Sequence, residues 1–295
     1  MQRENFKIAL FGNVYQEKKS TAVKQFLDVA AKYGIMIAMP VAFRDFLRDK
    51  LEIDVADCEL FDDDNFNADV AVCMGGDGTF LDVASRVGDK SIPIVGVNTG
   101  RLGFLANFSP DDIEKVVKDL IESNCNVEEH SLLEISCDEI QLEGCRFALN
   151  EIAILKHDIS AMISIHTSVN GEYLTTYQAD GLLIGTPTGS TAYSLSVGGP
   201  IIVPNIGTIS LTPVAPHSLN MRPLVVGDDS VIDLQVESRS GSFLISLDGR
   251  SHGYRDNLHL KICKAKYSAK VIRNPEHTFF YTLRNKLMWG ADSRL

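Results

Sequence analysis

The feature that most constrains the fold of this chain is a change in hydrophobic pattern near residue 125. Before that point, short apolar runs such as Lys7–Phe11 and Ala68–Met74 alternate with stretches of helical periodicity, which is typical of βαβ units and a parallel sheet. After it, apolar residues recur at every second position, and residues 163–169 run into Asn170-Gly171, a strong hairpin signal. The pattern predicts an N-terminal α/β domain with a parallel sheet and a β-rich C-terminal domain.

The length of the chain supports two domains. Its 295 residues fall in the range where single cores begin to split, and 45% hydrophobic with 23% charged residues is typical of a globular protein. We expect an α/β domain over 1–107, a β-rich domain over 108–270 and a tail over 271–295.

Composition and charge exclude several classes of protein. No run approaches the ~18 consecutive apolar residues of a membrane span, and the first residues do not read as a signal peptide. The six cysteines form no CxxC pair, so we expect reduced thiols and a cytoplasmic location. A net charge of −11 argues against nucleic-acid and membrane partners. Residues 261–295 hold eight Lys or Arg and two Asp or Glu, which fits docking on the acidic remainder, phosphate binding or simple solvation.

The first candidate site is Gly75-Gly-Asp-Gly-Thr79, between a predicted strand and a predicted helix over Phe80–Val87. Open α/β sheets bind ligands at this position, and glycines let a phosphate approach backbone N–H groups. The carboxylate of Asp77 suits a site that accepts a hydroxyl proton or engages a metal, as in phosphoryl transfer. The alternative is a plain turn in which Asp77 is an N-cap or Asx-turn residue. The sequence contains neither GxxxxGK[ST] nor GxGxxG.

The second candidate site is Asn150-Glu151, within the strand-like run Phe147–Leu155. Adjacent strand residues point to opposite faces of a sheet. Both side chains therefore meet one ligand only near a strand end or a bulge. Solvent exposure of the pair is the alternative.

The third candidate site is an uncharged segment, Gly181–Met221, whose 41 residues include no Asp, Glu, Lys or Arg. Residues 186–196 carry seven hydroxyl side chains, which need partners when they are buried. A pocket for a nucleoside and its ribose explains both features, with Tyr193 stacked on a ring. A Ser/Thr-rich loop that satisfies its own hydroxyls is the alternative. Asp180 borders the segment and is its nearest carboxylate.

Together these motifs resemble those of the NAD kinase family, which phosphorylates the 2′-hydroxyl of the adenosine ribose of NAD to give NADP. Four pieces occur in the family's order: Gly75–Thr79, Asn98–Leu105, Asn150-Glu151 and Asp180–Pro200. The first resembles loops of diacylglycerol-type lipid kinases and phosphofructokinases, whereas the fourth is highly specific. The resemblance covers about residues 7–290. It implies an α/β domain like that of those kinases, a β-rich NAD-binding domain, and a C-terminal tail that packs back on the first domain.

The resemblance also implies roles for particular residues. Asp77 would be the general base on the ribose hydroxyl, Asn150 and Glu151 would bond ribose or adenine, and Asp180 would lie by the nicotinamide half. The residues that would approach the phosphates are Gly75, Gly76, Gly78 and Thr79. Further dinucleotide contacts are implied for Phe104, Thr191, Ala192, Tyr193, Ser194, Leu195, Ser196, Ala215 and Arg250. Ala161 and Gln178 also align near contact positions, where the family often has a basic or larger residue.

The implied substrates are NAD and ATP or another phosphoryl donor, and the implied assembly is a homodimer or homotetramer. We expect Mg²⁺ to arrive with the nucleotide, because the sequence shows no carboxylate cluster for a dedicated metal site. Two rival hypotheses remain. A lipid or sugar kinase would share the glycine-rich loop, but the negative charge and the hydroxyl-rich segment argue against it. A non-catalytic dinucleotide sensor has no need of a base, so Asp77 argues against it.

Overall fold

The computed structural model describes residues 6–13, 20–53, 55, 57–100, 102–158 and 162–290. The chain divides into two compact units, Met1–Glu129 with Ala269–Leu295, and His130–Ser268. Residues 269–290 therefore belong to the first unit. The domain limits expected from sequence, at 107 and 270, stay a prediction.

The described residues form alternating helices and strands in the N-terminal part and mostly strands in the C-terminal part, as the hydrophobic pattern predicts. The helices are α1 (Ser20–Lys32), α2 (Val41–Leu51), α3 (Asp77–Val87), α4 (Ile113–Ile121), α5 (Tyr193–Ser196) and α6 (Phe279–Leu287). The strands are β1 (Lys7–Gly12), β2 (Met36–Pro40), β3 (Glu59–Phe61), β4 (Val70–Gly75), β5 (Ile94–Asn98), β6 (Asn126–Cys137), β7 (Phe147–Ala148), β8 (Glu151–Lys156), β9 (Ile163–Val169), β10 (Glu172–Ala179), β11 (Gly181–Gly185), β12 (Thr208–Val214), β13 (Leu224–Gly227), β14 (Ile232–Ser238), β15 (Ser242–Leu247), β16 (Arg250–Arg255) and β17 (His259–Arg273).

The first unit contains the predicted parallel sheet. Its strands lie in the order β3-β2-β1-β4-β5, and the last residues of β17 pair with β5; each of these pairs is parallel. Strands β4 and β5 are buried at every residue, which explains why both appear as continuous apolar runs in the sequence. Helices α1, α2 and α4 contribute Phe26, Leu47 and Val117 to the same core as Leu10. The α/β prediction is confirmed.

Local sequence signals set the ends of several elements. Gly34 has φ +66° just after α1, a left-handed conformation that glycine adopts without strain. Before α4, Ser109 and Asp112 form a capping box, with the Ser109 N–H donating to Asp112 Oδ2 at 2.7 Å. These signals fix where the chain enters and leaves the helices around the sheet.

The second unit is β-rich, as predicted. Its strands form the orders β10-β9-β14-β17, through the first residues of β17, and β13-β12-β11-β8-β15-β16, and every pair is antiparallel. The β9–β10 hairpin turns at Asn170 and Gly171, whose φ values of +53° and +79° fit the predicted Asn-Gly turn. Ile165, Leu234 and Phe243 are buried in the core of this unit. No helix in the described ranges is long and apolar enough to cross a membrane.

Candidate active site

The turn between β4 and α3 carries the first predicted site. Asp77 is the first residue of α3, directly beyond the carboxyl end of β4, and Gly76 is the N-cap. Gly75 is required by packing, because a Cβ there would lie 2.4 Å from Oγ1 of Thr79. At Gly76 and Gly78 a Cβ would meet nothing within 4 Å, so the backbone beside Asp77 is open. This helix start can present N–H groups to an anion.

The carboxylate of Asp77 is held by three successive backbone N–H groups. Phe104 N–H donates to Oδ2 at 2.9 Å, and the N–H groups of Leu105 and Ala106 donate to Oδ1 at 3.0 Å each. A side chain at Gly103 would be excluded, because its Cβ would lie 2.0 Å from Oδ1. Asp77 is not the N-cap of its own helix, a position that Gly76 occupies. Its carboxylate instead accepts hydrogen bonds from residues 104–106, at the end of the motif Asn98–Leu105. An aspartate that only forms a turn makes no such bonds to a distant segment.

Two cations of the C-terminal segment lie around Asp77 and Phe104. The Lys286 ammonium is 3.3 Å from Asp77 Oδ2 and 5.2 Å from the centroid of the Phe104 ring. Arg273 is buried, and its Nη1 donates to the Phe104 carbonyl at 2.6 Å. Burial lowers the pKa of Arg273, and the carboxylates of Glu128 and Asp77 oppose that shift. The buried Phe104 ring also lies 5.8 Å from that of Phe279.

In the second unit, Asn150 and Glu151 lie at a strand start, as the ligand hypothesis required. The run predicted as one strand divides into β7 and β8, and Glu151 opens β8. Three successive N–H groups again converge on one carboxylate: Leu149 donates to Asp248 Oδ2 at 2.8 Å, and Asn150 and Glu151 donate to Oδ1 at 2.8 and 3.1 Å. Both Asn150 and Glu151 are buried, so the solvent-exposed alternative does not hold.

Two buried polar atoms near this break make no hydrogen bond within the described chain, although one of them, Arg250 Nη2, lies 3.8 Å from Asp248 Oδ2 as an ion pair. Glu151 Oε2 is buried and accepts no hydrogen bond, and Arg250 Nη2 is buried and donates none. Burial, together with the Asp248 carboxylate, raises the pKa of Glu151 to about 7. Burial also raises the pKa of Asp248, while its three N–H bonds and Arg250 oppose the rise. Because buried polar groups rarely lack a hydrogen bond, Glu151 Oε2 and Arg250 Nη2 fit hydrogen bonds to a polar ligand.

Four hydroxyls of the uncharged segment are satisfied inside the second unit. Their bonds are Thr186 to the Leu149 carbonyl (2.5 Å), Thr188 with His130 Nδ1 (2.9 Å), Ser190 to the Pro187 carbonyl (2.7 Å) and Ser194 with Thr212 (3.1 Å). All four side chains are buried. For these four residues the alternative of a Ser/Thr-rich loop with internally bonded hydroxyls is the correct description. The Ser194 hydroxyl in particular is bonded to Thr212.

The other predicted residues of this segment reach the surface of the unit. Tyr193 and Ser196 are exposed, whereas Thr191, Ala192 and Leu195 are partly exposed. The preceding turn packs against the Asn150 region: a Cβ at position 189 would lie 2.1 Å from the Asn150 carbonyl oxygen. Glycine at 189 thus lets the two predicted segments of this unit approach each other.

The remaining predicted residues are placed as follows. Asp180 Oδ1 pairs with Lys156 Nζ at 2.7 Å. Ala215 is exposed and has φ +45°, a conformation that non-glycine residues rarely adopt and that clusters at functional sites. Gln178 is exposed on β10, with its carbonyl accepting the His217 N–H at 2.9 Å. Ala161 lies outside the described residues.

The part of the chain that the structure describes provides no set of side-chain ligands for a divalent metal ion. No group of three or more His, Cys, Asp or Glu side chains there could hold a metal ion. The Asp77 carboxylate is already occupied by three N–H groups and an ammonium. These residues do not fit a resident metal ion.

The fold and these two sets of groups are those expected of a phosphotransferase: an α/β unit with an oriented acid at a glycine-lined strand–helix turn, and a β-rich unit with buried polar atoms that lack a hydrogen bond. Comparison with known proteins gives the family. Residues 9–125 match the ATP-NAD kinase N-terminal domain, and residues 149–274 match the ATP-NAD kinase C-terminal domain. The chain belongs to the NAD kinase family.

Relatives along the whole chain agree. An NAD kinase of Bacteroides fragilis is 54% identical over 98% of this chain and 100% of its own length. An NAD kinase of Porphyromonas gingivalis is 42% identical over 98% and 99%. An Archaeoglobus fulgidus NAD kinase, solved in complex with ATP, is 26% identical, with a TM-score of 0.74 over 96% of this chain and 99% of that one. Yeast NADH kinase, solved with NADH, shares the fold at 24% identity, with a TM-score of 0.88 over 100% and 91%.

Sequence reasoning missed three residues that organise these sites. They are Asp248, Arg273 and Lys286, and the motifs of the sequence single out none of them. The available signal for the two cations was the basic composition of residues 261–295. Composition cannot say which of eight cations lies beside an acid 209 residues away.

Proposed function

We propose that Asp77 is the general base of the NAD kinase reaction of this chain. The observation that carries the proposal is the carboxylate itself, oriented by the N–H groups of residues 104–106 at the open start of α3. In the step, the ribose 2′-oxygen forms a bond to the γ-phosphorus of ATP while the bond to the β–γ bridging oxygen breaks. ADP leaves with that electron pair, and the hydroxyl proton passes to Asp77.

The geometry supports positioning as the main contribution of the first unit. Phosphoryl transfer runs through a loose transition state, so alignment and charge neutralisation outweigh covalent chemistry. Three backbone donors keep the Asp77 carboxylate in one orientation, and the open backbone at Gly76 and Gly78 can receive phosphate oxygens. Gly75 and Thr79 support this turn by packing on each other. Phe104 is proposed as the wall beside the adenine.

The second unit is proposed to bind the dinucleotide. Asn150 and Glu151 would bond ribose or adenine. Glu151 Oε2 and Arg250 Nη2 are the buried atoms without a hydrogen bond that such contacts would satisfy. Asp180 would lie by the nicotinamide half. The further proposed contacts are Thr191, Ala192, Tyr193, Ser194, Leu195, Ser196, Ala215, Gln178 and Ala161. For Ser194 the supporting group is the backbone, because its hydroxyl is bonded to Thr212.

The donor, cofactor and assembly are part of the same proposal. ATP is the proposed donor, and the support for it is that the Archaeoglobus fulgidus NAD kinase was solved in complex with ATP. Mg²⁺ is proposed to come with the phosphates of the nucleotide, since the described side chains offer no ligand cluster. We propose a cytoplasmic homodimer or homotetramer with no nucleic-acid or membrane partner.

The test is NADP formation by the purified chain with NAD, ATP and Mg²⁺, compared with Asp77→Asn. The variant removes the proton acceptor, so kcat should fall at least ~10²-fold while NAD affinity stays within about tenfold. Its NH₂ group also faces at least one of the three backbone donors, so thermal unfolding is measured alongside to confirm that the variant is folded. NAD binding without any NADP would favour the dinucleotide sensor, and transfer to a diacylglycerol or hexose instead of NAD would favour the lipid or sugar kinase. If Asp77→Asn lost affinity but kept turnover, Asp77 would be a binding residue.

A further inference from the structure

Lys286 is a residue that the proposed reaction has not used. It lies in the last turn of α6, with its ammonium 3.3 Å from Asp77 Oδ2 and 5.2 Å from the centroid of the Phe104 ring. Its side chain keeps 36% of its surface exposed. A cation in direct contact with the proposed base, on a flexible stem, must take part in whatever that base does.

The hydrogen-bonding capacity of Asp77 is filled in this arrangement. A carboxylate offers about four lone-pair positions. Three are used by the N–H groups of Phe104, Leu105 and Ala106, and the Lys286 ammonium supplies the fourth donor. The backbone donors are fixed by the chain, whereas a lysine ammonium moves on four methylene groups. A ribose hydroxyl that gives its proton to Asp77 must therefore take the place of Lys286.

The transferring phosphoryl group is a second negatively charged partner for the displaced ammonium. The phosphoryl group arrives at the same hydroxyl that contacts Asp77, so an ammonium that reaches Asp77 also reaches the transferring group. Negative charge on the phosphoryl oxygens needs cationic partners in the transition state. The neighbouring Arg273 is buried, and it is committed to the Phe104 carbonyl at 2.6 Å. Among the described cations around Asp77, Lys286 is the one free to move.

We propose that Lys286 is a catalytic residue, whose ammonium leaves Asp77 when the ribose hydroxyl binds and then holds the transferring phosphoryl group. The ammonium keeps its proton throughout. The bond from the 2′-oxygen to the γ-phosphorus forms, ADP departs with the electron pair of the broken bond, and Asp77 takes the hydroxyl proton. This inference rests on the role proposed for Asp77.

The experiment compares NADP formation by the full-length chain and by Lys286→Gln, Lys286→Arg and Arg284→Gln at varied NAD and ATP–Mg²⁺. Lys286→Gln should lower kcat by about 10²–10³-fold, because the lost interaction forms in the transition state, and should leave the KM for NAD within about threefold. Lys286→Arg should recover most of the rate, because the cation is kept. Arg284→Gln is the matched control: it removes the same charge from α6 two positions away, on another face, and should leave kcat within about twofold.

Several outcomes would overturn the proposal. An unchanged or raised kcat in Lys286→Gln would show that the ammonium only blocks Asp77, and a rise in KM for ATP alone would make it a nucleotide-binding residue. Failure of Lys286→Arg to recover activity would reject the charge argument. Asp77→Asn in the same assay separates the two proposals. If it is inactive while Lys286→Gln is active, only the lysine proposal fails, and if Asp77→Asn is active, the role of Asp77 fails first.

Discussion

Asp77 and Asp248 show how one residue type performs two tasks in this chain. Each accepts hydrogen bonds from three successive backbone N–H groups. The side chain of Asp248 is 3% exposed, whereas that of Asp77 is 29% exposed. Asp248 has all its hydrogen bonds to backbone and its cationic neighbour, Arg250 Nη2, only at 3.8 Å, so it orders a segment. Asp77 is partly exposed and also accepts a hydrogen bond from a lysine side chain, which can be exchanged for another donor. Burial and the fourth donor, rather than residue type, distinguish the two.

Glu151 gives a prediction at the residue scale. Its pKa is raised from 4.5 to about 7, by burial first and by Asp248 second. The folded state therefore prefers the protonated acid, so this contribution to stability is complete below pH 4.5 and is lost as pH rises through about 7. The shift corresponds to a loss of roughly 3 kcal/mol in the free energy of unfolding.

Urea unfolding at pH 5 and pH 8 measures this effect. Glu151→Gln cannot ionise, so its free energy of unfolding relative to the unmodified chain should rise by about 2–3 kcal/mol between the two pH values. Glu172→Gln, at an exposed position at the start of β10, is the control and should show no such change. An equal pH dependence in Glu151→Gln and the unmodified chain would place the titration on another group.

At the scale of elements, the break between β7 and β8 depends on the turn between β15 and β16. Asp248 and Gly249 have φ values of +49° and +85° in that turn, which aims the Asp248 carboxylate at three N–H groups. Periodicity predicted one strand through the break, because Leu149 continues the apolar run. It could not show that a turn about 100 residues later captures these donors, since that pairing is purely tertiary.

Asp248→Asn tests this dependence. An amide places an NH₂ group against at least one backbone donor, and a buried donor left unpaired costs about 1–3 kcal/mol. We expect unfolding to become about 2–3 kcal/mol easier and the KM for NAD to rise about tenfold, with a smaller change in kcat. Denaturant curves and steady-state kinetics check both, with Asp229→Asn, an exposed turn acid of the same unit, as the control. An unchanged KM would show that Asn150 and Glu151 hold their positions without Asp248.

The acidic segment after β3 shows another limit of sequence reasoning at this scale. The three consecutive acids at 62–64 are typical of an exposed loop, and Asp62, Asp63 and Asp64 are indeed exposed. Phe61 and Phe66, however, are buried, with their rings stacked at 4.7 Å. The guanidinium of Arg86 lies 5.6 Å from the Phe61 ring. The run of acids correctly indicates an exposed segment. It does not indicate that Phe61 and Phe66 are buried, because their other contacts are with residues distant in the sequence.

For the whole molecule, the features that could be predicted from the sequence are those that depend on local pattern. They are the α/β and β-rich parts of the chain, the parallel and antiparallel sheets, and the glycine turn at residues 75–79. These follow from periodicity and turn chemistry, which operate over a few residues. The surroundings of Asp77 depend instead on the return of residues 269–295 to the first unit. That return brings Lys286 to an acid 209 positions earlier, a separation over which one sequence carries no local signal.

The same return brings α6 beside Asp77, although this helix buries little of its own surface. It buries only Thr282 and Leu283, yet it carries Lys286 and places Phe279 against Phe104. A chain that ends at Asn274 should therefore fold, with β17 complete, and should be about 2–4 kcal/mol less stable, as expected for loss of one buried leucine and its surroundings. NADP formation should fall at least ~10²-fold because the cation beside Asp77 is gone.

The matched control is a chain that ends at Gly290, which is shortened but retains α6. Circular dichroism and thermal unfolding establish that both chains are folded, and NADP formation compares them. Loss of activity in the chain ending at Asn274, together with normal activity in the longer one, assigns the effect to α6. If the chain without α6 instead kept full turnover, neither Lys286 nor the Phe279 contact could contribute to phosphoryl transfer, and the segment would serve stability alone.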